Sequence, residues 1–140
     1  MNTLKNTRSS LFLMELIIAI LFFSIGSAVC VQAFVQAHLT SQAARDLSFA
    51  SSGVSSAANV VRYAGETLSD YYPTAVSDGD ETVVYYDSGF APCDGDDAAY
   101  MLRILTTRES GAENAHIRML DAGGELIYEL ELRYPVPGQE

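Results

Sequence analysis

The chain has 140 residues, 49% of them hydrophobic, and a formal net charge of −10 at pH 7. From His38 onward 17 Asp and Glu stand against 6 Arg and no Lys, a net of −11. A surface of that sign repels phosphate backbones and argues against direct nucleic-acid binding through a basic patch, and the length allows one anchor plus one domain of about a hundred residues.

Residues 1–10 (MNTLKNTRSS) form a short polar leader that carries Lys5 and Arg8 and no acid. The next 21 residues, Leu11 to Val31 (LFLMELIIAILFFSIGSAVCV), contain a single charge, Glu15. A helix of that length covers about 32 Å, close to the hydrocarbon thickness of a bilayer. The basic leader places residues 1–10 in the cytoplasm and the acidic remainder outside. A carboxylate in such a span costs about 2.5–3.5 kcal/mol, which marks Glu15 as a functional residue in need of a partner.

The apolar period continues beyond this span. Leu39, Ala43, Leu47, Ala50, Val54, Ala57, Val61, Ala64, Leu68 and Tyr71 follow at steps of three and four, the stripe of one amphipathic helix. Ser and Ala fill most other positions, so the helix is slim. Gly53 and Gly65 each weaken it by about 1 kcal/mol relative to Ala and mark bends or close packing. Pro73 stops it. The spacing thus predicts one helix of about sixty residues, membrane-spanning over 11–37 and one-sided over 38–72.

After Pro73 the period becomes two. Runs at Thr82–Asp87, Ala99–Thr107 and Asn114–Leu120 are β-branched, aromatic or alternating, and Leu126, Tyr128, Leu130, Leu132 and Tyr134 form an inward set opposed by Glu125, Glu129, Glu131 and Arg133. Asp121-Ala122-Gly123-Gly124 reads as a hairpin loop. Residues 73–140 are therefore expected to form a small antiparallel β head of about four strands. Its dry face needs a cover, and the amphipathic half of the long helix is the available element. The fold class is α+β.

The segment SSLFLMELIIAILFFSIG resembles the prepilin leader and N-terminal helix of type IV pilins and type II secretion pseudopilins, and a long helix followed by a small sheet is similar to that family's layout. The resemblance implies that a prepilin peptidase cuts between Ser10 and Leu11, that Leu11 becomes the N-methylated terminus, and that Glu15 is the glutamate at the fifth mature position. It implies a non-enzymatic structural subunit, a minor one, of a pilus-like filament, or a pseudopilin of a secretion or DNA-uptake machine. Its partners would be other pilin subunits, the peptidase, membrane-platform assembly proteins and, before assembly, lipid. The chain departs from the family's commonest pattern in having Ser10 where Gly is usual, Leu11 for Phe or Met, and Phe12 for Thr. It also lacks a proline in the apolar helix, leaving Gly26 as the soft point.

Cleavage there would create a positive amine one helical turn from Glu15. Pairing of the two in a low-dielectric medium lowers the cost of both charges, and a pair completed on assembly fixes the register between neighbouring helices. Two rival readings start from the same residues. A secretory signal peptide would be cut after Val31-Gln32-Ala33 to give a chain starting at Phe34, although a charge early in the apolar region and its length argue against it. A single-pass anchor would let Glu15 snorkel to the interface. Either would leave a secreted or anchored acidic binding domain with no filament.

Other features carry less. Asp94, Asp96 and Asp97, with Gly95, and the similar run Asp78–Glu81 offer hard oxygen ligands on Gly-containing turns, as calcium needs; Asp94, Asp96 and Asp97 are the favoured candidates, and no other cofactor is expected. In each of the pairs Tyr71-Tyr72 and Tyr85-Tyr86, one ring is expected to face the core. His38 and His116 have no second His or nucleophile in a motif. A bridge between Cys30, in the apolar span, and Cys93, in an acidic loop, is not expected.

Overall fold

A computed structural model describes residues 2–64 and 68–135. The chain divides into two units, residues 1–43 and residues 44–140. The secondary structure begins with helix α1 (Asn2–Ala64) and a short helix α2 (Leu68–Tyr71). Six strands follow: β1 (Val76–Asp78), β2 (Glu81–Tyr86), β3 (Pro92–Cys93), β4 (Tyr100–Glu109), β5 (Ala112–Asp121) and β6 (Leu126–Pro135). The protein is α+β, one long N-terminal helix with an antiparallel sheet.

The head's core is built where the helical stripe meets the dry face of the sheet. Ala50, Val54, Ala57 and Val61 recur at steps of four, three and four and are buried, as are Val84, Leu102, Ile104, Ala115, Ile117, Met119 and Tyr134 from the strands. Small residues on the helix let it lie close to the sheet. Gly53 shows how close: a Cβ there would stand 3.0 Å from the Met119 Cε. Gly53 is therefore a packing position inside an unbroken helix.

One helical expectation changes. The stripe does not bury its whole length, because Leu39 and Leu47 remain about half exposed. Helix is described to Ala64 and again from Leu68 to Tyr71, with Tyr71 exposed and Leu68 and Tyr72 packed on the core. Gly65, expected as a bend, and the Ala64 side chain lie outside the described residues.

The sheet runs in the order β1-β2-β4-β5-β6, with β3 also on β2, and every pairing is antiparallel. It has six strands rather than about four. The two extra strands are short and share one edge of β2, where β1 pairs with residues 81–83 and β3 with Tyr85 and Tyr86. Pro92 has no N–H to extend the ladder, which confines β3 to an edge. Strands β4 and β5 close through Ser110-Gly111, both at positive φ (49° and 81°), the two-residue turn whose twist suits a hairpin. Between β5 and β6 the Asp121 carboxylate accepts the Glu125 N–H at 2.8 Å.

One inward position is corrected. Met119 pairs with Tyr128 but Leu120 pairs with Leu126, so Ile127 is an extra residue, a β-bulge. The slip sends Leu126 to the solvent face and leaves Ile127 packed against the core. Alternation alone could not show this, since a bulge reverses every side chain beyond it.

Candidate functional site

The candidate site lies at the start of α1. By length and composition this helix can cross a membrane: an 18-residue window has a mean hydropathy of 2.3 and none of it is buried. Leu11, Phe12, Ile17, Phe22, Phe23 and Phe34 are all exposed. An exposed apolar surface of this extent is of the kind that marks interaction sites. Two hydroxyls, one inside the run and one just beyond it, are satisfied locally. The Ser24 hydroxyl donates to the Ile20 carbonyl at 2.8 Å and the Thr40 hydroxyl to the Gln36 carbonyl at 2.9 Å, so neither presents an unsatisfied donor.

Among the described residues Glu15 has no hydrogen-bond or ion-pair partner, and its side chain is exposed. In a helix the Cα–Cβ bond tilts towards the N-terminus, so a side chain at position 15 sets out towards the turn that begins at Leu11. Ser10 and Leu11 are exposed and the helix passes through them without a break. Cutting this bond would free the N–H groups of the new first turn and add an amine about 6 Å along the axis from Glu15. Both changes place positive charge on the side towards which that side chain sets out.

The head presents a different chemistry. The Tyr100 hydroxyl donates to Asp46 Oδ1 at 2.7 Å. Around this bond Phe49 stacks on Phe90 (centroids 4.2 Å apart) and meets Tyr86 edge-on at 5.3 Å. Phe90 holds a positive φ of 65°, a strained backbone for a bulky residue. Asp87 imposes it: its Oδ1 accepts the Gly89 and Ala91 N–H groups at 2.8 and 3.0 Å. Burial and the bond to Asp46 push the Tyr100 pKa up to about 12, and burial pushes Tyr86 up to about 12. The aromatic clamp escaped the sequence reading because a left-handed Phe has no compositional signal. The run Asp87-Ser88-Gly89 was the one hint, as an Asp that caps its own turn.

On the solvent face of the sheet Arg103 Nε meets Glu81 Oε1 at 2.6 Å, which holds the Glu81 carboxyl below its usual range. His116 Nε2 lies 3.3 Å from Glu129 Oε2. Of the tyrosine pairs, Tyr72 and Tyr86 pack on the core, while Tyr71 is exposed and Tyr85 stands on the opposite face of β2 from buried Val84.

The three aspartates considered for calcium do not converge. Asp94 precedes the 3-10 turn Gly95–Asp97 without a side-chain capping bond, and Asp94, Asp96 and Asp97 are all exposed. Among the described residues no group of three or more His, Cys, Asp or Glu side chains is arranged to hold a metal ion. Cys30 and Cys93 are both free. Burial, then Asp87, Asp97 and Asp94, raise the Cys93 thiol pKa, making it a poor nucleophile at neutral pH. No family model, curated protein or solved structure matches this chain.

Proposed function

We propose that this chain is a structural subunit of a type IV pilus-like filament, held in the cell membrane by α1 until a prepilin peptidase removes residues 1–10. The leader lies in the cytoplasm and the acidic head outside. After the cut, apolar helices exchange lipid for one another, and the Glu15 carboxylate of one subunit pairs with the Leu11 amine of its own chain or a neighbour's. The subunit has no catalytic role; its partners are other pilin subunits, the peptidase and the membrane-platform proteins that drive assembly.

The observation that carries this reading is the position of Glu15. It is the only charge between Leu11 and Val31, one turn after a bond flanked by a small residue, on a helix whose apolar side chains are exposed. An anchor alone gains nothing from a charge there, since the cost of about 2.5–3.5 kcal/mol is offset only by a partner. The test is Glu15→Val in filament-forming cells. The variant should reach the membrane at the ordinary level yet enter filaments about tenfold less, the equivalent of about 1.4 kcal/mol. Unchanged incorporation would refute the pairing.

A further inference from the structure

We infer that the solvent face of the head sheet is a docking surface for a second copy of this chain, whose acidic 94–97 turn seats on Arg103 and Arg118. The inference concerns the head alone and does not rest on the filament reading.

Residues directly opposed in an antiparallel ladder share a face. On the face away from the core, one row runs Val83, Arg103, Arg118, Glu129, and the next runs Tyr85, Met101, Leu120, Leu126. Arg103 and Arg118 are direct cross-strand partners, an arrangement that destabilises a sheet unless something neutralises it. Glu81 answers Arg103. Glu129, across from Arg118, turns to His116 instead. Among the described residues Arg118 therefore has no ion-pair partner within 4.0 Å. An acidic head thus keeps an under-neutralised arginine pair beside an apolar row in which Leu126 is 46% exposed. Arginine beside apolar and aromatic side chains is the composition of an interface rather than of a solvated face.

The occupant must bring carboxylates, and this chain carries them on the same face. Cys93 is the cross-strand partner of Tyr85, and a Cβ on Gly95 would stand 3.4 Å from the Tyr85 ring. The turn with Asp94, Asp96 and Asp97 therefore lies at the β2 end of the apolar row, while the arginines flank its β4 and β5 members. An acidic patch and a basic patch on one face, beside a shared apolar row, are self-complementary. Two copies related by a twofold axis can each place the acidic turn on the other's arginines and bury the two apolar rows between them. A foreign acidic protein would account for the arginines but not for the placement of both halves together.

The test uses the purified full chain in detergent micelles, with the photo-crosslinking residue benzoylphenylalanine in place of Leu120. Irradiation should give a dimer adduct whose joined peptide from the second copy contains residues 94–97. Arg118→Glu should reduce the adduct about tenfold, and so should Asp96→Arg with Asp97→Arg on the exposed turn. All three changes in one chain should restore it. If Arg118→Glu loses its circular dichroism signal, the turn variant and the restored triple variant carry the test. Monomer only, capture of a different peptide or of a foreign protein, or an adduct indifferent to the charge changes would overturn the inference.

Discussion

The Tyr100 hydroxyl donates to Asp46 across 54 residues of chain, tying the start of strand β4 to helix α1 at 2.7 Å. A neutral donor on a charged acceptor, partly screened from water, is worth about 1.5–3 kcal/mol at most. Tyr100→Phe keeps the ring against Phe49 and removes this bond. The head should lose about 1 kcal/mol in a denaturant titration, with little change in the slope.

The same contacts set the alkaline limit of the head. Tyr86, Tyr100 and Tyr134 all have pKa values pushed up to about 12 from 10.0, chiefly by burial. The fold favours the neutral phenol, so this stabilisation is complete below pH 10 and is lost as pH rises from about 10 towards 12. Tyrosinate absorbance should show late-titrating residues, and chemical stability should fall across that window. Glu81 works in the opposite sense. The Arg103 bond lowers its pKa from 4.5, so its contribution is present above that value and fades as pH falls below it. The pair is partly exposed, and Glu81→Gln should cost no more than about 1 kcal/mol at neutral pH.

Gly53 tests how closely the helix lies on the sheet. Gly53→Ala gains about 1 kcal/mol of helix propensity but must displace the flexible end of Met119, so the net change should be small. Gly53→Leu cannot be accommodated that way and should destabilise the head by about 1–3 kcal/mol. Thermal melts of the two variants separate close packing from a simple helix flaw.

Asp87 should govern the loop that carries Phe90. Asp87→Ala removes the acceptor for two backbone N–H groups and the device that holds Phe90 at positive φ. Hydrogen exchange at Gly89 and Ala91 should accelerate while the core strands keep their protection. Equal acceleration throughout the head would contradict this local role.

Elements with a long, uniform period could be read from residues alone. The step of three and four through Ala50, Val54, Ala57 and Val61 located the helical side of the core, and the alternation in β4 and β5 located its sheet side. What escaped depends on partners distant in sequence. Leu126 faces solvent because of a bulge at Ile127, and a bulge is a property of two strands in register. Leu39 and Leu47 continue the stripe but are not buried, since periodicity shows which side is apolar and not what covers it. The opposed Arg103 and Arg118 lie 15 positions apart, and only the β4–β5 register makes them neighbours. Glu15 stood out without any structure, because a lone charge in an apolar run is a sequence property.

The filament reading depends on one bond, between Ser10 and Leu11, being cut to create the amine that Glu15 pairs with. Mass spectrometry of the intact mature protein, with fragmentation of its N-terminus, reads this directly. A chain that starts at Leu11 and carries an added methyl group on its amine is the expected result. A chain starting at Phe34 would make the apolar run a secretory signal, and an uncut Met1 would make it a plain anchor; either result would contradict the filament subunit.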